Sequence, residues 1–160
     1  MGEKLQYLAN PENDLRPDEM FMGSGNNWEF NSHTTGVTVD MKGEFGYAEF
    51  HFEPFNTSKK QTGNEIQTTR MMLVGLDDYI KGSELRFGED DLEPPPKIIG
   101  MTKSQEISEM GKKVGIDYTK SENDKGEDVY YAETSHDELE NIVKNNQRLI
   151  DNARKKLKTN

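Results

Sequence analysis

The sequence contains no cysteine among its 160 residues. Disulfide bonds, zinc sites with thiolate ligands and thiol nucleophiles are therefore excluded. Long hydrophobic runs are also missing, since no apolar stretch approaches the roughly 20 residues that span a membrane as a helix. The N-terminal stretch has no apolar segment of the kind found in signal peptides. We therefore expect a cytoplasmic protein that does not bind membranes.

Large aliphatic and phenylalanine side chains are scarce, because Leu, Ile, Val and Phe make up only 31 of the 160 residues. Together with a formal net charge of −10, this proportion lies at the edge of the composition of disordered proteins. Eight methionines, six tyrosines and one tryptophan add apolar surface. The composition predicts one small ordered domain with long polar loops.

Positive charge is the third deficit, and it is unevenly distributed. Residues 135–160 hold six basic and four acidic residues, which leaves 14 basic against 26 acidic residues in 1–134. Direct binding of duplex DNA is not expected, because phosphates are neutralised by clustered Lys and Arg. Those same side chains accept carboxylates as they accept phosphates. The charge therefore predicts a basic partner protein, of the nucleic-acid-binding class.

Turn residues and apolar patterns divide the chain into three parts. Residues 1–27 carry prolines and a run rich in glycine and asparagine, and we expect them to be irregular. Residues 28–134 are predicted to form an acidic α+β domain, with an antiparallel hairpin or meander that could close like a barrel. Residues 135–160 predict an amphipathic helix, which belongs to the same domain or forms a dimer seam.

Strands are predicted where apolar and polar residues alternate, at 28–30, 37–39 and 45–55. Residues 66–76 are dense in apolar side chains and fit either a buried strand or a short helix. Thr68 and Thr69 favour a strand there, and residues 83–87 and 129–132 are further candidates. Two helices are expected to follow this sheet.

The first of these helices is predicted at 102–114. Thr102 and Gln105 have the spacing of a capping box, and Gly115 is well placed to end the helix. The second helix, at 135–158, begins with another such box formed by Ser135 and Glu138.

The second helix carries one stripe of residues with heptad spacing, which is apolar at every position except Asn146. Its members are Leu139, Val143, Asn146, Ile150, Ala153 and Leu157. This stripe could pack on its own sheet, or form a dimer seam in which Asn146 sets the register. Because a helix of about 36 Å is long for so small a core, we expect a homodimer.

One group of residues could carry metal or acid–base chemistry. Glu49, His51 and Glu53 project from one face of a predicted strand, where alternate residues lie about 6.5–7 Å apart. They could hold a divalent metal or make His51 a general base, as in a metal-dependent hydrolase. A solvent-facing polar strand gives the same pattern, so we assign no catalytic residue, metal or cofactor.

Aromatic residues in the predicted sheet suggest the first alternative to a binding protein, ahead of the hydrolase: a module that stacks single-stranded nucleic acid. They are Trp28, Phe45, Tyr47, Phe50 and Phe52. Such a module also requires a positive groove, whereas residues 28–55 contain one lysine against five acidic residues. The charge argues against this hypothesis.

Two acidic blocks remain as candidate contacts for a basic partner. They are Asp77 and Asp78, and then Glu89, Asp90, Asp91 and Glu93. We therefore expect a non-enzymatic acidic binding protein that inhibits or docks on a basic nucleic-acid-handling protein. The small size and the lysine-, asparagine- and glutamate-rich composition suggest an accessory protein of a phage or mobile element.

Overall fold

A computed structural model describes residues 16–53 and 65–158, with side chains in the second range from 66 to 155. The described chain has the predicted α+β class, built from an open seven-stranded sheet and four α-helices. The sheet has two edge strands, so the expectation of a closed barrel is wrong.

The sheet is almost entirely antiparallel. Its strands are β1 (Phe21–Ser24), β2 (Asn27–Ser32), β3 (Val37–Lys42), β4 (Tyr47–Phe52), β5 (Ile98–Thr102), β6 (Thr119–Glu122) and β7 (Asp128–Thr134). They lie in the order β1-β2-β3-β4-β5-β7-β6, and only β4 and β5 are parallel. The strands predicted at 28–30, 37–39 and 129–132 are confirmed, and the one predicted at 45–55 begins at residue 47.

The helices are α1 (Glu65–Glu89), α2 (Gln105–Val114), α3 (His136–Asn145) and α4 (Gln147–Lys158). Parallel neighbouring strands require a crossover connection, and α1 provides it between β4 and β5. The expectation that all helices follow the sheet is therefore wrong. Residues 17–24, expected to be irregular, form a 3₁₀ turn (Pro17–Met20) and strand β1; residues 1–15 lie outside the described part.

Helix α1 replaces the strands predicted at 66–76 and 83–87. All of residues 71–80 are buried, because the helix packs on the sheet with one side and on α3 and α4 with another. A helix buried on all sides carries no amphipathic period. Its apolar run therefore gave no periodic signal to distinguish it from a strand.

Helix α2 begins at a different cap from the one predicted. The Ser104 hydroxyl accepts a hydrogen bond from the backbone N–H of Ile107 at 3.2 Å. Thr102 instead accepts one from the backbone N–H of Ser104 at 3.0 Å. Gly115 ends the helix in the left-handed conformation, with φ 118°, as predicted.

The predicted C-terminal helix is broken at Asn146 into α3 and α4. The Asn146 side chain donates to the Ile142 carbonyl oxygen at 2.8 Å, which satisfies the end of α3. Ser135 caps α3 through the Glu138 backbone N–H at 3.1 Å, as predicted. The Glu138 carboxylate accepts a hydrogen bond from the Thr134 hydroxyl.

The apolar stripe of these two helices is buried within its own domain. Leu139, Val143, Ile150 and Ala153 belong to the core shared with α1. A dimer seam formed by these four residues is therefore wrong, because the chain itself covers them. The side chain of Leu157 lies outside the described residues. A homodimer formed through another surface stays a prediction.

Candidate functional site

The two faces of the sheet differ in what covers them. The inner face shares one core with all four helices. The outer face consists of the alternate strand residues, most of which are exposed or partly exposed, and none of the described helices packs on it. This outer face is therefore an uncovered regular surface among the described residues.

One row of residues runs across six strands of the outer face, and we call it the outer row. Each member is the pairing partner of the next: Met22, Glu29, Asp40, Glu49, Ile99 and Glu133. Neighbouring strands lie about 4.8 Å apart. Three carboxylates thus stand side by side on β2, β3 and β4.

Nearby cations compensate this charge only in part. Lys42 lies 3.5 Å from Asp40, Lys97 lies 3.4 Å from Glu133, and the two lysine side chains are nearly half exposed. His51 Nε2 lies 3.3 Å from Glu49 Oε2. Among the described residues, Glu29 has no ion pair. The row therefore keeps a net negative charge.

A shallow open depression of about 460 Å³ adjoins the β1 end of this row. Met22 lies at its edge and is 73% exposed. Glu29, Asp40, Lys42 and Glu44 also line it. The exposed apolar side chain can pack against the aliphatic stem of a lysine or arginine, and the neighbouring carboxylates can bind its charged head.

The second acidic surface is the segment 89–93, which we call the acidic loop. Its four carboxylates, Glu89, Asp90, Asp91 and Glu93, are exposed, whereas Leu92 is buried in the core. Asp90 forms an ion pair with Arg86 of α1. The loop thus presents its charges outward from an apolar anchor.

The backbone of the acidic loop is fixed to the β1–β2 hairpin. The Gly25 N–H donates to the Asp91 carbonyl at 2.8 Å, and the Glu93 N–H donates to the Gly25 carbonyl at 2.9 Å. Trp28 Nε1 donates to the Glu93 carbonyl at 2.9 Å. Asp91 adopts a left-handed conformation with φ 56°, which Asp and Asn tolerate better than most residues. The acidic loop is therefore attached to the same hairpin that contributes Met22 and Glu29 to the outer row.

The other predicted contacts, Asp77 and Asp78, are not on the surface. Both are buried in α1, and Nη2 of Arg154 lies 2.7 Å from each carboxylate. Lys81 contacts Asp77 at 3.0 Å. Burial raises the pKa of Asp78, and Arg154 opposes that shift. These two carboxylates pair α1 with α4 inside the protein. The prediction that they contact a partner is therefore wrong.

The proposed metal ligands are only partly brought together. Glu49 and His51 contact each other, and Glu53 follows the end of β4. Among residues 16–53 and 65–158, no group of three or more His, Asp or Glu side chains is arranged to hold a metal ion.

The aromatic residues proposed to stack on bases are mostly inside the protein. Trp28, Phe50 and Phe52 are buried on the inner face, so bases cannot stack on them. Phe45, which is 58% exposed, and Tyr47 remain accessible, with ring centroids 6.1 Å apart. The surface on which bases could stack is thus reduced to the Phe45 and Tyr47 rings, beside an acidic face.

A partly buried polar contact between α1 and α3 was missed by sequence reasoning. Nδ1 of His136 lies 3.2 Å from the Tyr79 hydroxyl, within a cluster of aromatic rings. Burial lowers the pKa of His136 and raises that of Tyr79. The nearby carboxylates of Glu140, Asp137 and Glu84 oppose the shift of His136.

The outer row was also missed, because pairing register cannot be read from a single strand.

No described helix is long and apolar enough to cross a membrane. No protein-family model, curated protein or solved structure matches this chain.

Proposed function

We propose that this chain is a non-enzymatic acidic binding protein that docks on, and thereby inhibits, a basic nucleic-acid-handling protein. The observation that carries the proposal is the fixed backbone of the acidic loop. Three hydrogen bonds to the β1–β2 hairpin fix the backbone from which the exposed carboxylates of Asp91 and Glu93 project. A preorganised loop loses less conformational entropy on binding, and its carboxylates can occupy Lys and Arg side chains that otherwise hold phosphates.

The net charge of −10 supports the same partner class, because it favours encounter with a basic surface. The composition supports an accessory protein of a phage or mobile element acting in the cytoplasm. The single-strand and hydrolase hypotheses have no comparable support from the described residues.

The test uses two variants with equal changes of charge. The loop variant carries Glu89→Gln, Asp91→Asn and Glu93→Gln, and the asparagine introduced at position 91 keeps the tolerance of the left-handed conformation. The control variant carries Glu109→Gln, Asp117→Asn and Asp124→Asn, at exposed positions away from the hairpin.

Each protein is immobilised and used to capture proteins from source cells, which are then identified by mass spectrometry. We expect a basic nucleic-acid-binding protein on the wild type and on the control variant. The loop variant should lose it, and added duplex DNA should release it by competing for the same site. Equal capture by the loop and control variants would remove the acidic loop from the proposal.

A further inference from the structure

We infer that the outer row is a second contact surface for this partner, and that it receives a helix with Lys or Arg along one side. This inference rests on the proposed function, since it requires a basic partner. It adds the surface used and the shape of the segment that the partner presents.

Spacing favours a helix over an extended segment. Glu29, Asp40 and Glu49 occupy paired positions on neighbouring strands, which lie about 4.8 Å apart. On a helix, side chains three or four positions apart begin about 5–6 Å from each other. On an extended strand, residues of one face are about 6.5–7 Å apart. A helix lying across the strands therefore matches the row more closely.

The length of the row sets the length of the helix. Six strands from β1 to β7 span about 24 Å, which corresponds to about 16 helical residues. Met22 and Ile99 place apolar side chains within the row. The matching helix is therefore basic opposite the four carboxylates of the row, Glu133 included, and apolar opposite these two residues, as in interfaces that combine apolar anchors with charge pairs.

Repulsion within the row supplies a reason for binding. Glu29 stands directly opposite Asp40, and Asp40 directly opposite Glu49. Like charges in opposite cross-strand positions destabilise a sheet, and the contact of Lys42 with Asp40 is long, at 3.5 Å, and partly exposed. Cationic side chains laid between these carboxylates remove that repulsion, so the surface and the occupant are complementary in charge.

The test uses a defined peptide and a row variant with Glu29→Gln, Asp40→Asn and Glu49→Gln. The probe is a fluorescent, alanine-based peptide of about 16 residues with arginine at every fourth position. A matched peptide carries two central prolines, which keep the charge and prevent the helix. Binding is measured by fluorescence anisotropy at low salt.

We expect the helical peptide to bind at least about threefold more tightly than the matched peptide, and the row variant to lose about tenfold in affinity for it, the combined effect of three charge pairs. The control variant should bind like the wild type. Equal affinity for the two peptides, or a row variant that binds like the control, would overturn the inference.

Capture of the partner separates this inference from the proposed function. If the loop variant loses the partner and the row variant keeps it, the proposed function stands and the outer row is not a contact. If neither variant loses it, the acidic docking function itself fails.

Discussion

Arg154 in α4 donates a hydrogen bond of 2.7 Å to Asp77 in α1, although 77 residues separate them in the sequence. The same nitrogen lies 2.7 Å from Asp78. Both carboxylates are almost fully buried, whereas about a third of the Arg154 side chain is exposed. One guanidinium therefore compensates two charges that are expensive to bury alone, and it joins the C-terminal helix to the central one.

Replacing this arginine should destabilise the fold strongly. Arg154→Met leaves two buried carboxylates, with Lys81 as their remaining cationic contact among the described residues. Removing one partner of a buried ion pair costs about 3–5 kcal/mol, and partial exposure of Arg154 favours the lower end. Urea unfolding followed by circular dichroism measures the change. Arg148→Met, at an exposed position of α4, is the control, and equal stability of the two variants would contradict the prediction.

Sequence reasoning identified the strands that have one exposed face better than it identified the helix buried between the sheet and the other helices. Strands β3 and β4 alternate visibly because one side of each faces the core and the other faces outward. Helix α1 has no such contrast, since residues 71–80 are buried on every side. Asp77 and Asp78 looked like solvated charges because their partner, Arg154, is remote in sequence. Burial by distant elements is not encoded in a local pattern.

Two glycines of α1 should respond in opposite ways to alanine. A Cβ at Gly75 would overlap the side chains of Val37 and Thr35, whereas a Cβ at Gly88 would meet nothing within 4 Å. Gly75→Ala should lower the free energy of unfolding by about 1–3 kcal/mol through overpacking. Gly88→Ala should raise it by up to about 1 kcal/mol through helix propensity. Thermal unfolding of both variants checks this, and changes of equal sign would refute the close contact between α1 and β3.

Adjacent residues of α4 distinguish a packed stripe from a dimer seam. Ile150 is fully buried, whereas Leu149 is 40% exposed. Ile150→Asp places a charge in the core and should cost about 4 kcal/mol or more, with loss of the far-ultraviolet circular dichroism. Leu149→Asp should leave the spectrum and the unfolding midpoint almost unchanged. If Ile150→Asp stays folded and light scattering gives half the wild-type mass, the stripe forms a dimer seam and is not packed within its own domain.

The candidate site was only half predictable for a related reason. The acidic loop is one continuous segment, so its charges are visible in the sequence. The outer row joins residues from six strands, and its membership depends on register. A slip of one residue would move every side chain of a strand to the other face. Alternation showed that Glu49 shares a face with His51, but it could not place Glu29 and Asp40 beside it.

Stability should fall as the pH drops below neutral, and His136 should account for part of this change. Burial holds its pKa below the ordinary value of 6.5. The unfolded chain therefore binds the proton more readily, so the contribution of neutral His136 is complete above pH 6.5 and is lost as the pH falls below it. Urea unfolding at pH 7.5 and 5.5 measures the difference.

His136→Gln should reduce this difference between the two pH values. His33→Gln, at an exposed position in the turn between β2 and β3, should preserve it. Asp78, whose pKa is raised by burial, contributes in the opposite direction, and the comparison with the control variant cancels that contribution. An unchanged pH dependence in His136→Gln would exclude His136 as its source.

Repulsion in the outer row predicts a stabilising substitution. Glu29 faces Asp40 directly and has no ion pair among the described residues, so Glu29→Gln removes a like-charge pair while keeping the shape of the side chain. The free energy of unfolding should rise by about 0.2–1 kcal/mol.

Added salt should shrink that gain by screening the repulsion in the wild type. Asp124→Asn, in the turn between β6 and β7, makes the same change of net charge and should have little effect. If Glu29→Gln gives no gain at low salt, the carboxylates of the row do not repel one another appreciably. A basic helix would then relieve no repulsion by binding to this face. The acidic loop would be the main electrostatic contact with the partner.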